Sequence, residues 1–121
     1  MSADAKNTKI YYNPRCSKCR LSLELLNEQG IEPDVIEYLN DTPGHATIEQ
    51  ILDMLGIQPR DLMRTGESIY KELDLDNKDL SRTELIDIMI THPILIERPI
   101  VIQNGKAVIG RPPEKILDII K

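Results

Sequence analysis

Short runs of alternating or β-branched residues flank a long middle stretch with helical periodicity. Lys9 to Tyr12 is β-prone and ends at Asn13-Pro14, a turn signal. From Ser17 to Gln29 good helix formers dominate, with Gly30 and Pro33 supplying the stop. Asp34 to Leu39 reads as a second strand. A β-α-β unit of this length predicts parallel strands with a right-handed crossover.

Asn40 to Pro93 reads as all-helical. Thr47 with Gln50 forms a capping-box pattern, followed by Ile48, Ile51, Leu52 and Leu55 on one face before Gly56. Pro59 opens a short helix through Met63, and Ser81 with Glu84 repeats the capping pattern ahead of Leu85, Ile88 and Met89. After Pro93 the period changes. Ile100 to Gln103 and Lys106 to Ile109 are strands joined by Asn104-Gly105, a type I′ hairpin signal because both central residues need positive φ. Pro112-Pro113 starts a last helix, Glu114 to Ile120. The expected fold is α/β with a mixed sheet: β-α-β, then a helical insertion over about 41–93, then β-β-α. The 121 residues suit a single domain with a loose tail over 1–8.

The hairpin register carries a further expectation. A two-residue loop sets Gln103 opposite Lys106 and Ile102 opposite Ala107. If the ladder runs on, Arg98 faces Arg111. Residues directly opposite lie about 4.5–5.5 Å apart at Cβ. Either the ladder stops before Pro99 and the arginines splay into solvent, or an anion sits between them.

Composition narrows the partners. There is no Trp or Phe and there are only four Tyr, so a stacking platform for single-stranded nucleic acid is not expected. Fifteen basic against 20 acidic residues give −5, which disfavours polyanions and anionic membranes. No direct nucleic-acid or membrane partner is expected, and the lack of a long apolar run suggests a cytoplasmic protein. The net figure hides an arrangement. Between Asp4 and Glu24 there is no acid, only Lys6, Lys9, Arg15, Lys18 and Arg20; between Glu97 and Glu114 there are only Arg98, Lys106 and Arg111. Solvated faces explain such runs, and so does one local anion site if the fold brings them together.

The first basic interval contains both cysteines, Cys16-Ser17-Lys18-Cys19, at the strand-to-helix turn. Cys16 falls near the helix N-cap, where open N–H groups, the helix dipole and Arg15, Lys18 and Arg20 favour a thiolate. A thiol of pKa about 8.5 is only ~3% ionised at pH 7, whereas one at ~6 is about 90% ionised. Cys16 is the expected nucleophile. Cys19 shares helical spacing with Leu23 and Leu26, so it is either a small core residue or a resolving thiol. A zinc site would need two more ligands, and only His45 and His92 remain, both in the insertion; no metal and no bound cofactor are expected.

Three motifs reach beyond a generic CxxC: Tyr12-Asn13-Pro14-Arg15-Cys16, His92-Pro93-Ile94-Leu95-Ile96-Glu97-Arg98-Pro99-Ile100-Val101, and Gly110-Arg111-Pro112-Pro113. In this order, from Lys9 to Ile120, the chain resembles the glutaredoxin-linked arsenate reductase family, whose fold the Spx transcription regulators share. The resemblance implies a thioredoxin-like sheet with a helical insertion. It implies arsenate, or a similar small oxyanion, as substrate, attacked by Cys16 and held by Arg64, Arg98 and Arg111. Arg60 is the rival to Arg64, which fits the family position after Asp61-Leu62-Met63. Asn13 and Pro99 take supporting places, and Arg98-Pro99 is implied to be cis. Glutathione is the implied co-substrate and glutaredoxin the implied partner.

Two departures stand out. Well-known members carry His where this chain has Tyr12, so the thiolate would depend on the helix terminus and the arginines. Cys19 replaces the small hydroxyl residue of many arsenate-reducing members, and CxxC here is typical of Spx-like regulators that bind RNA polymerase. An Spx-like redox sensor and a general disulfide oxidoreductase are therefore the alternatives; the Gly-Arg-Pro-Pro run and the arginine set favour the enzyme.

Overall fold

The computed structural model describes residues 8–120. Residues 1–7 of the expected tail lie outside that range, whereas Thr8 is buried as the first residue of a strand. The described residues divide into two compact units, 8–41 together with 98–120, and Thr42–Glu97.

The first unit holds β1 (Thr8–Tyr12), α1 (Ser17–Glu28), β2 (Asp34–Glu37), β3 (Ile100–Gln103) and β4 (Lys106–Ile109). The sheet order is β2-β1-β3-β4. β1 and β2 are parallel, as the β-α-β reading requires, and the β1–β3 and β3–β4 pairs are antiparallel. Ile10 and Val101 from the sheet, Leu26 from α1, Ile31, and Ile116 and Ile120 beyond the hairpin form one buried cluster. Gln103 donates a buried hydrogen bond to Thr8 at 2.9 Å, tying the ends of β3 and β1 together.

The hairpin has the expected register, with Ile100 opposite Ile109 and Gln103 opposite Lys106. Asn104 and Gly105 adopt φ of 52° and 79°, the positive pair that a two-residue turn of this hand needs. The ladder does not stop at Ile100, because Gly110 N–H donates to Pro99 O at 2.9 Å. A Cβ on Gly110 would lie 2.7 Å from Ser22 Oγ and 2.9 Å from Pro99 Cγ, so only glycine lets the hairpin end approach α1 this closely. Both Arg98-Pro99 and Arg111-Pro112 are cis.

Two boundaries differ from expectation here. β2 stops at Glu37, whose carbonyl accepts from both Asn40 and Asp41 and turns the chain, so Tyr38 and Leu39 fall outside the strand. The last helix is a 3₁₀ helix over Pro113–Asp118, not an α-helix over 114–120. Its i→i+3 bonds, Lys115 N–H to Pro112 O and Ile119 N–H to Ile116 O, suit a piece too short for several α-turns.

The second unit is helical, with α2 (His45–Leu55), α3 (Ser68–Glu72), α4 (Arg82–Thr91) and 3₁₀ turns at Pro59–Leu62 and Pro93–Leu95. Ser81 and Glu84 form the expected reciprocal cap on α4, at 3.1 and 3.0 Å. Thr47 does not cap α2. The helix starts two residues before it, with Gly44 as N-cap and no side-chain cap, because Ile48 N–H already bonds Gly44 O. α3 was not expected from the pattern; its five residues are too few to show a period. No helix among the described residues is long and apolar enough to cross a membrane.

Candidate active site

The turn between β1 and α1 is built by Asn13. Its carbonyl accepts Cys16 N–H at 2.9 Å, and its Oδ1 accepts Arg15 N–H at 3.0 Å, an Asx turn that only a short amide or acid side chain makes. Arg20, one turn into α1, donates to Pro14 O at 2.7 Å. Cys16 is thereby set as the N-cap of α1. No side-chain oxygen caps this helix, so its first N–H groups stay open to Sγ.

Both cysteines are free thiols, and their electrostatics diverge. Burial of Cys16 opposes ionisation. Hydrogen bonds from the Cys19 N–H, the Cys19 thiol, Arg98 and the Lys18 N–H overcome it and hold Cys16 below its ordinary value. Cys19 is fully buried, which pushes its thiol up to about 12; Asn13 N–H, 3.4 Å from its Sγ, and Arg98 oppose this, while the Cys16 charge and hydrogen bond add to it. The pair is thus an ionisable Cys16 beside a neutral Cys19 that donates to it.

The cis prolines end the hairpin, and their preceding arginines meet at Cys16. Arg111 Nη2 lies 3.9 Å from Cys16 Sγ, and Arg111 Nε donates to Arg98 O at 2.8 Å. The cross-strand repulsion expected for this register is relieved by turning one guanidinium onto the other residue's backbone carbonyl. Arg98 hydrogen-bonds Cys16, yet its Nε and Nη1 are buried without a hydrogen-bond partner. Buried unpaired donors of a cation are costly, and such groups mark a place built for something else to fill. Two donors on a planar fork match the edge of a tetrahedral oxyanion.

The structure therefore brings together Cys16, Cys19, Asn13, Pro99, Arg98 and Arg111. Arg64 belongs to the other unit, where its guanidinium pairs with Glu67 at 3.4 Å and Glu97 at 3.5 Å. Arg60 there donates to the carbonyls of Leu75 and Asn77, a structural use that sets it apart from Arg64.

Tyr38 was missed. It is fully buried beside this cluster: its hydroxyl is held up to about 12 by burial, with Arg98 and Asn13 opposing and the Cys19 and Cys16 charges adding. The signal lay in strand register, since β1 and β2 pair as far as Tyr12 and Glu37 and so bring the residues that follow each strand to the same end of the sheet.

The chain is similar to known proteins through most of its length. The chain is 52% identical over 116 residues to the uncharacterised Escherichia coli protein YfgD, covering 95% of this chain and 98% of that one. It is 48% identical over 112 residues to a Haemophilus influenzae protein named arsenate reductase, covering 92% and 97%. A solved structure described as arsenate reductase from Vibrio cholerae matches with TM-score 0.91 and 47% identity over 93% of this chain and 97% of that one. The α/β, thioredoxin-like fold with its mixed sheet follows from these likenesses. The ArsC family model matches residues 11–119, a span that runs from β1 through Cys16 and both hairpin arginines, and the chain belongs to that family.

Proposed function

We propose that this protein reduces arsenate to arsenite, with Cys16 as nucleophile. The observation that carries the reading is the meeting of a thiol held toward its thiolate with two arginines, one of which keeps two buried donors unpaired. The names of the Haemophilus and Vibrio relatives support the same substrate.

In the first step Cys16 Sγ attacks arsenic. A sulfur–arsenic bond forms, an arsenate oxygen leaves as water after protonation, and arsenic stays pentavalent. Arg98 and Arg111 bind the remaining oxygens and offset the charge that develops on them; a single well-placed donor of this kind is worth about 10²–10³ in rate. Glutathione then displaces a second oxygen as water. A glutaredoxin thiolate attacks the glutathione sulfur, a disulfide forms, and the electron pair of the broken sulfur–arsenic bond reduces arsenic to the trivalent state. Water cleaves the Cys16–arsenic bond and releases arsenite. Two thiols are oxidised for each arsenate reduced.

A second reading, redox sensing or disulfide exchange through Cys16 and Cys19, draws on the hydrogen bond between the two thiols. It asks a fully buried thiol held near 12 to act as a nucleophile. That favours Cys19 as a donor to Cys16 over Cys19 as a resolving thiol.

The deciding assay is arsenate turnover with glutathione and glutaredoxin by the wild type, Cys16→Ser and Cys19→Ser. The reading expects activity in the wild type, none in Cys16→Ser and retained activity in Cys19→Ser. A wild type inert where a known arsenate reductase turns over would sink it.

A further inference from the structure

The helical unit carries a feature that the cysteine chemistry does not use. After α3 the chain runs Leu73-Asp74-Leu75-Asp76, leucines alternating with acids, and reaches Asp79-Leu80 shortly before α4. Glu72, Asp74, Asp76 and Asp79 are all exposed, with only Lys78 among them to offset their charge. The leucines divide: Leu75 is buried, whereas Leu73 is 41% exposed.

Two devices hold this segment in shape. α3 ends on a Schellman turn, in which Leu75 N–H donates to Tyr70 O and Asp74 N–H to Lys71 O, both at 3.0 Å. Asp74 takes the left-handed place in that turn, at φ 53°, where glycine is the usual residue. Arg60 then donates to the carbonyls of Leu75 and Asn77. A segment fixed at both points cannot fold Leu73 away from water.

Single exposed leucines are ordinary, but this one borders a cavity of about 300 Å³. Leu73, Leu75, Leu80 and Ile88 make its apolar lining, and Thr91 and His92 lie at the end of α4 beside it. Asp87 also lines it, bonded to His45 at 3.2 Å. The acids of 72–79 stand at exposed positions on the segment that forms one wall. An occupant that meets both the apolar lining and these charges is therefore larger than the cavity and positively charged. A second copy of this chain, itself at −5, is a poor match.

We propose that this groove docks a basic amphipathic segment of a partner protein, with a leucine-sized side chain entering beside Leu73, Leu80 and Ile88 and lysines or arginines meeting the acids of 72–79. The inference stands apart from the arsenate reading.

The probe is a fluorescein-labelled amphipathic peptide about four turns long, leucines on one face and lysines on the other. A scrambled peptide of the same composition and a version with glutamates for lysines are its controls. Anisotropy measures binding to the full chain, and amide shifts of the nitrogen-labelled chain locate it. The lysine peptide should bind at least about tenfold tighter than either control, shift Leu73, Leu80 and Ile88, and weaken as salt is raised to about 0.3 M. Leu73→Ser should weaken it about fivefold, and Asp79→Lys about threefold at low salt; both positions are exposed, so the fold is kept. Leu117→Ser, at a leucine equally exposed elsewhere, should change nothing. Equal binding of the controls, shifts that map away from the groove, salt-independent binding, or a dimer of this chain that occupies the groove overturns the proposal.

Discussion

Arg111 donates from Nε to the backbone carbonyl of Arg98 at 2.8 Å while its Nη2 stands 3.9 Å from Cys16 Sγ. One guanidinium thus ties the two hairpin ends together and points at the nucleophile. A lysine carries its donors on one nitrogen and lacks the rigid planar fork that sets separate nitrogens at the two places. Arg111→Lys should therefore lower kcat/KM for arsenate by about 10²-fold despite conserving charge, and Arg98→Ala by at least as much. Steady-state kinetics with saturating reductant check this; an Arg111→Lys enzyme within threefold of wild type would show that charge alone suffices.

Cys19 acts on Cys16 as a hydrogen-bond donor in this structure. A serine keeps such a donor and an alanine removes it. Cys19→Ala should raise the Cys16 alkylation inflection, and Cys19→Ser should leave it near the wild-type position. The sign follows from the donor favouring the charged form: without it the thiolate is populated only at higher pH, and activity at neutral pH falls. Equal inflections in the two variants would remove the thiol from any electrostatic role.

Gly110 sits where a methyl group would meet Ser22 Oγ at 2.7 Å, Pro99 Cγ at 2.9 Å and Ile116 Cγ2 at 3.4 Å. The proline ring cannot rotate away, so Gly110→Ala must move the hairpin end, at a cost of about 1–3 kcal/mol. Arg111 is the next residue and moves with it. The variant should lose both stability in urea titration and arsenate turnover. Ser22 Oγ is buried without a hydrogen-bond partner, so Ser22→Ala should be close to neutral alone and should recover part of the Gly110→Ala loss.

Much of this site was legible because local chemistry forced it. Asn104-Gly105 dictates a two-residue turn, and that turn sets the register that carries Arg98 and Arg111 to the same end. Asn13-Pro14 ends β1 and leaves Cys16 at the start of α1. The start of α2 was not legible. Thr47 and Gln50 have the spacing of a capping box, but the backbone is already helical from His45, and a box works only outside the helix. Tyr38 was hidden for a different reason. Its buried place near the site depends on two strands 25 residues apart coming into register, and a lone tyrosine past a strand end carries no mark of that. The two cis bonds likewise depend on tertiary context, since an X-Pro bond is cis only about 5–6% of the time.

Cys19 and Tyr38 also make alkaline stability a readable property of the fold. Each has its folded pKa raised to about 12, from ordinary values of 9.0 and 10.0, with burial as the main cause. Both groups are neutral when protonated, so the folded chain keeps two protons that the unfolded chain releases. Stability from this source is fully present below about pH 9 and drains away as pH climbs toward 12. Between about pH 10 and 12 each retained proton costs about 1.4 kcal/mol per pH unit. Urea midpoints measured from pH 8 to 11.5 should fall steeply above pH 9. Tyr38→Phe should lose one proton's worth of that slope above pH 10, and Cys19→Ala should flatten the decline from pH 9 upward. A wild-type midpoint that holds level to pH 11 would mean that both groups ionise without unfolding the chain, and the closed environment assigned to them would be wrong.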